Sequence, residues 1–266
     1  MLATGRFWPL LACLSGAVPC PLSAQTPPLP YPLAVEGPAL RIDEWHLRLD
    51  PEAELALADS LLSVDATNYE FLWRAARAAV SLGMLATVPR EARAYFDRAE
   101  AYARDASDVD PDGLMGNHFV AVSLGQQALS EGIQTRISLA EEVRDRAETV
   151  LALDSTFAGA YHVLGKWHAE VKRLGFFSGF VARTVLRGDR FGEASWEEAE
   201  RLMRRAIELD PGGAMHHLEL ARILIDTERT AEARSELTLV LDLRVREPID
   251  PLHHQRAHEL LRSLGG

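Results

Sequence analysis

Nine histidines are the side chains best suited to ligate a metal or to move a proton near neutral pH. His254 and His258 stand four residues apart, a spacing that puts two imidazoles on one face of a helix, as metal ligands can be. His253 beside them points elsewhere. No cysteine or suitably spaced carboxylate completes a tetrahedron, so no metal site is expected there. His216 and His217, and His162 with His168, fall in helical stretches where packing or solvent accounts for them. Catalytic motifs are missing from the sequence: there is no Gly-x-Ser-x-Gly elbow, no phosphate loop ending in Gly-Lys-Ser or Gly-Lys-Thr, and no His-Glu-x-x-His. Glu141-Glu142 and Glu197-Glu198 lie at helix starts, where the helix dipole favours carboxylates without any cleft. The expectation is a chain that is not an enzyme, with no catalytic residue, no cofactor and no bound metal.

One stretch stands out as a candidate for binding. LGFFSGFVARTVLRGDRFG, beginning at Leu174, carries Phe176, Phe177, Phe180 and Val181 together with Arg183, Arg187 and Arg190. Between Lys172 and Phe191 basic residues outnumber the lone acid Asp189, in a chain whose net charge is −11. The functional reading is an amphipathic segment: Phe176, Phe177, Phe180 and Val181 wall a groove for an apolar ligand or partner, and Arg183, Arg187 and Arg190 meet an anionic group. The competing reading is that the segment folds back and its aromatics are ordinary core, since apolar stripes at helical spacing usually pack inward. The Arg187-Gly188-Asp189 triplet is explained by turn chemistry.

The bulk composition narrows the classes. The chain has 266 residues, 47% hydrophobic and 25% charged, which suits a folded domain rather than a disordered one. Its 28 Lys plus Arg face 39 Asp plus Glu, a balance that disfavours a nucleic-acid backbone as main partner. The two cysteines, Cys13 and Cys20, both lie near the start, leaving no disulfide framework in the body.

Residues 1–24 read as a secretory signal peptide: Arg6, an apolar run from Phe7 to Val18, then Ser23-Ala24 before Gln25. The run is too short for a bilayer, which needs about 20 residues. Leu10-Leu11-Ala12-Cys13 offers a rival, a lipobox that would leave a lipidated Cys13. Residues 25–42 hold Pro27, Pro28, Pro30, Pro32 and Pro38 and read as an extended spacer, with the folded domain at 43–266. No later apolar run reaches the length of a membrane span. The expected location is outside the cytoplasm, periplasmic or secreted.

The elements that position the candidate residues show themselves as an internal repeat. LLSVDA at Leu61, YARDASDVDP at Tyr102, ETVLALDS at Glu148 and RRAIELDP at Arg204 each end an apolar-periodic helix in an acidic turn. The intervals between Asp65, Asp110, Asp154 and Asp210 all exceed the tetratricopeptide period of about 34 residues. The finer pattern nevertheless fits that class. Ala199, Met203, Ala206 and Pro211 match the second-helix motif, as do Ala99, Ala103, Ala106 and Pro111; Tyr161, Leu164, Gly165 and His168 match the first-helix motif. Small residues let paired helices approach, and the proline cannot continue a helix. The fold class is therefore all-α, a solenoid of antiparallel helix pairs, with residues from Pro251 onward as the capping helix.

Helix boundaries follow local chemistry. Ser195 with Glu198 reads as a capping box, and Asp50-Pro51 and Asp250-Pro251 place a cap residue before a proline. The extra residues fall at Val80–Arg90, Gly125–Thr135 and within Lys172–Ser195, each between the two helices of its unit. They are expected to project from one edge of the array.

The segments LWRAARA at Leu72, GIQTRISLAEEVRDRAETVLALD at Gly132 and YHVLGKWHAEV at Tyr161, the last followed by the long insertion, resemble the regulator of microtubule dynamics family over about Asn68 to Leu261. The resemblance implies a right-handed stack of helix pairs acting as an adaptor, in a group associated with microtubules or organelle contacts and with lipid binding. The cleavable export signal and the Arg-rich, Lys-poor composition depart from that pattern, and an exported bacterial relative meets no microtubules. The expected function is an exported adaptor that binds a protein or peptide partner on its concave face and insertion edge. The alternative is a protein that binds or transfers a lipid or other apolar ligand through the 172–195 insertion.

Overall fold

The computed structural model describes residue 29 and residues 31–175 and 189–265. Among these every regular element is helical: α1 Gly37–Leu47, α2 Pro51–Leu62, α3 Tyr69–Leu85, α4 Pro89–Val109, α5 Leu114–Ala128, α6 Ile133–Leu153, α7 Ala158–Gly175, the short α8 Asp189–Gly192, α9 Trp196–Leu209, α10 Ala214–Asp226, α11 Thr230–Asp242 and α12 Asp250–Ser263. Consecutive helices pack side by side from α1 through α7, and α7 pairs with α9. The units are α1/α2, α3/α4, α5/α6, α7/α9 and α10/α11, with α12 closing the end. The first helices of successive units also touch one another, α1 with α3, α3 with α5, α5 with α7 and α7 with α10, and so form an inner layer. None of these helices is long and apolar enough to cross a membrane.

Small residues set the spacing within pairs. On α4, Ala99, Ala103 and Ala106 are fully buried, and on α9 so are Ala199, Met203 and Ala206. Gly165 of α7 lies against the α9 backbone: a Cβ there would stand 3.1 Å from the carbonyl oxygen of Ala199. Leu164 is buried next to it. Tyr161 donates its hydroxyl to the Ser155 carbonyl at 3.0 Å, tying the helix start to the preceding turn. Pro211 follows α9, and its carbonyl lies 3.2 Å from Nε2 of His217.

Several boundaries differ from expectation. The stretches Val80–Arg90 and Gly125–Thr135 do not project as insertions. α3 runs on to Leu85 and α5 to Ala128, so the extra residues lengthen the helices and leave only short links at 86–88 and 129–132. Nothing in Val80-Ser81-Leu82 opposes helix, and Pro89 begins α4 where its missing N–H costs nothing. The extended spacer also stops short of residue 42, because α1 starts at Gly37 with Pro38 in its first turn.

Capping is likewise mixed. Asp50 accepts from the Ala53 N–H at 2.9 Å. Asp250 does not cap its own helix; its carboxylate accepts the N–H groups of Arg246 and Glu247 at 2.8 and 2.9 Å and closes the preceding loop. Ser195 accepts from Glu198 N–H at 3.1 Å, but Glu198 turns to Arg201 instead of completing the box.

Candidate binding site

The inner layer curves around a cavity of about 420 Å³. Four of the five units contribute apolar wall from their first helix: Val80 and Met84 from α3, Phe119 and Val122 from α5, Val163 and Trp167 from α7, Met215 and Leu218 from α10. Trp167 is fixed by its indole N–H, which donates to the Ala140 carbonyl at 2.8 Å. The far side is Ile249, Leu252 and His253, from the last loop and α12. Pockets of this size with mostly apolar walls and a few polar groups suit organic ligands or side chains of a partner.

Polar groups on this wall are held by burial and by each other. His118 lies between the rings of Phe119 and Phe157, 5.1 and 4.8 Å away, and burial alone pushes its pKa down to about 3. His162 and His216 face each other with their Nδ1 atoms 3.1 Å apart, so one must donate and the other accept. Burial lowers both pKa values, that of His162 strongly. Glu219 is buried, which favours its neutral form, yet Arg222, Lys166 and Arg173 outweigh this and hold its pKa below the ordinary value.

A second set of charges joins the two ends of the array. Asp43 of α1 accepts from Arg74 at 2.8 and 2.7 Å and from Arg77 at 2.8 Å. Arg77 also donates to Glu54 of α2 at 2.8 Å, and Glu54 meets His46 Nδ1 at 3.1 Å. Asp43, His46 and Glu54 are completely buried. From the last loop, Glu247 brings a carboxylate oxygen to 3.1 Å from Nε2 of His46. Arg246 of the same loop bonds Asp210 at 2.9 and 2.8 Å. A straight stack of helices spaced by about 8–10 Å would keep α1 far from this loop. The array therefore curls until its last loop reaches its first helix.

Of the residues proposed from sequence for binding, Phe176, Phe177, Phe180, Val181, Arg183 and Arg187 lie outside the described residues. Arg190 belongs to α8, but its side chain is not described. The cavity wall does include Val171 and Leu174, just before that stretch. His258 is exposed, and among the described residues no three His, Cys, Asp or Glu side chains come together as metal ligands would. Sequence reasoning overlooked the Asp43, Glu54, Arg74 and Arg77 cluster. Its signal was present, since Arg74-Ala75-Ala76-Arg77-Ala78-Ala79 sets two guanidiniums in a run of alanines too small to expose a polar face.

Stacked helix pairs with motif residues at their closest contacts and an inner cavity define a tetratricopeptide-like α-solenoid. A thermophilic TPR protein of Thermus thermophilus shares the fold with a TM-score of 0.62 at 15% identity, over 85% of this chain and 97% of that one. The family described as regulator of microtubule dynamics protein 1-3 matches residues 40–265, and the chain belongs to it. Regulator of microtubule dynamics protein 3 of Xenopus laevis is 28% identical over 195 residues, 71% of this chain and 40% of its own length. Regulator of microtubule dynamics protein 1 of Bos taurus is 26% identical over 148 residues, 55% of this chain and 46% of its own. The chain thus spans less than half the length of these relatives.

Proposed function

We propose that this chain is an exported, non-enzymatic adaptor that holds a protein or peptide partner on the concave face of its solenoid. The observation that carries the reading is the inner layer itself: α3, α5, α7 and α10 all turn apolar side chains into one continuous cavity. Burying such side chains against a partner is what stabilises association, and large aromatic or aliphatic anchors fit pockets of this kind. Photo-crosslinking residues placed at Val122 and Met215 of the full chain should capture a defined partner, while one at the exposed Leu239 of α11 should not. Equal capture from all three positions, or none, overturns the reading. Export is tested by N-terminal sequencing of the protein from cells: a mature terminus at Gln25 supports it, and an intact Met1 or a lipidated Cys13 counts against the cleavage site.

The cavity also favours a second reading, a carrier of a lipid or other apolar ligand, because 420 Å³ of mainly aliphatic and aromatic wall suits an acyl chain. Val171 and Leu174 lead from this wall into the insertion that sequence reasoning singled out. Native mass spectrometry under gentle conditions distinguishes the two: a bound lipid mass supports the carrier, and a clean apo mass removes it.

A further inference from the structure

The concave face is not empty along its whole length. Before α1, an extended segment runs along the inner layer and places Tyr31 inside it. The Tyr31 ring stands 5.8 Å from Phe119 and 6.1 Å, edge-on, from His46, with the Arg77 guanidinium 5.7 Å from its centre. The N–H of Ala34 donates to the Asp43 carboxylate at 2.9 Å. Tyr31 lines the 420 Å³ cavity and also a second one of about 490 Å³, whose wall includes Leu29, Pro32, Met115 and Phe157. Tyr31 therefore stands between the two cavities.

Its composition is that of a ligand. Prolines flank the aromatic, at Pro30 and Pro32, and two more precede them. Such a sequence is extended before it binds and loses little conformational freedom on docking. Its anchors are few beside the multiple ion pairs that hold α1 to α2 and α3. A segment docked by the Tyr31 ring, the Ala34 side chain and one backbone hydrogen bond can exchange with a competitor that offers the same groups.

We infer that the concave groove recognises an extended peptide carrying an aromatic residue flanked by prolines, and that residues 31–35 occupy this site in cis until such a partner displaces them. The inference rests on the adaptor reading above and names the chemistry of the partner. Phe119, His46 and Arg77 form the aromatic socket, with Arg77 supplying a cation–π contact. Asp43 accepts the backbone N–H three residues further on.

The test uses the full chain and a fluorescent peptide of residues 27–36, PPLPYPLAVE, followed by anisotropy. Tethering gives the cis segment an effective concentration in the millimolar range, so wild type should bind the peptide weakly. Tyr31→Ser, which empties the socket, should bind at least tenfold tighter, and a peptide with Ala in place of its Tyr should not bind. Ala34→Pro removes the donor to Asp43 without touching the ring and should also raise affinity, which keeps the test valid if Tyr31→Ser unfolds. Equal binding by wild type and both variants, no binding by either variant, or undiminished binding of the Tyr-less peptide overturns the inference. Crosslinking at Val122 and Met215 separates the two failures: a captured partner with no peptide exchange sinks only the cis-ligand inference, and no partner sinks the adaptor reading with it.

Discussion

Glu247, in the loop before the last helix, places a carboxylate oxygen 3.1 Å from Nε2 of His46, on the first helix. Two residues from opposite ends of the chain thus close the solenoid around its cavity. The other ring nitrogen of His46 faces Glu54 at 3.1 Å, so the imidazole lies between two carboxylates. Any change in that bridge should be felt at both ends of the array.

Burial and the nearby Arg77 lower the His46 pKa, but the contacts with Glu247 and Glu54 outweigh them and leave it above the ordinary value. A raised folded pKa means that the stabilisation is fully present below about pH 6.5, the unfolded value, and fades as pH rises through the folded value. Glu247→Gln should lower the His46 pKa, read from its ring signals by NMR, and flatten the fall in melting temperature on the alkaline side. An unchanged His46 titration in Glu247→Gln would show that the bridge is not electrostatic.

Breaking the buried cluster should be costly. Arg77 is buried between Asp43 and Glu54, and removing one member leaves charge uncompensated, at a cost of about 3–5 kcal/mol. Arg77→Met should therefore shift the urea midpoint far down. Arg201→Ala on the exposed face of α9 should leave it nearly unchanged, since exposed pairs contribute little. Comparable shifts from the two variants would contradict this account.

How much of this was legible in the sequence depends on the distance over which each residue acts. Gly165, Ala199, Met203 and Ala206 are readable because their partners sit at fixed offsets within one repeat, and the spacing of small residues reports helix approach directly. The capping roles of Asp50 and Ser195 are readable for the same local reason. His46 with Glu247, and Tyr31 with Phe119, are not readable, because they depend on how far the array curls, which no local pattern encodes. The added residues at Val80–Arg90 suggested a projecting loop only because repeat counting cannot tell a loop from a longer helix.

Glycine substitutions separate close approach from mere helix weakness. Gly165→Ala would bring a Cβ to 3.1 Å from the Ala199 carbonyl oxygen and 3.3 Å from the Met203 nitrogen, backbone atoms that cannot step aside singly. It should destabilise by about 1–3 kcal/mol, as overpacking does. Gly125 on α5 has nothing within 4 Å of such a Cβ. Gly125→Ala should stabilise by about 0.5–1 kcal/mol through helix propensity. Chemical denaturation of the two variants settles the contrast, and a stabilising Gly165→Ala would refute the proposed contact between α7 and α9.

Acid should act on a different set of histidines, with the opposite sign from His46. His118 and His216 are buried and His162 is half-buried, and desolvation is the largest cause of each depressed pKa, so the neutral form is favoured. The unfolded chain binds protons at these residues below about pH 6.5, so the stability they contribute is present above that value and is lost as pH falls toward the folded pKa. For His118 that value is about 3, which keeps it neutral across the interval in which most carboxylates are still ionised. His118→Phe preserves a ring between Phe119 and Phe157 and removes the titration. Between about pH 6 and 5, where most carboxylates remain ionised, the variant should lose less stability than wild type by up to about 1.4 kcal/mol per pH unit, the linkage of one proton. Parallel curves for the two proteins would mean that His118 is protonated in the folded state, and that the cavity wall is wetter than its packing indicates.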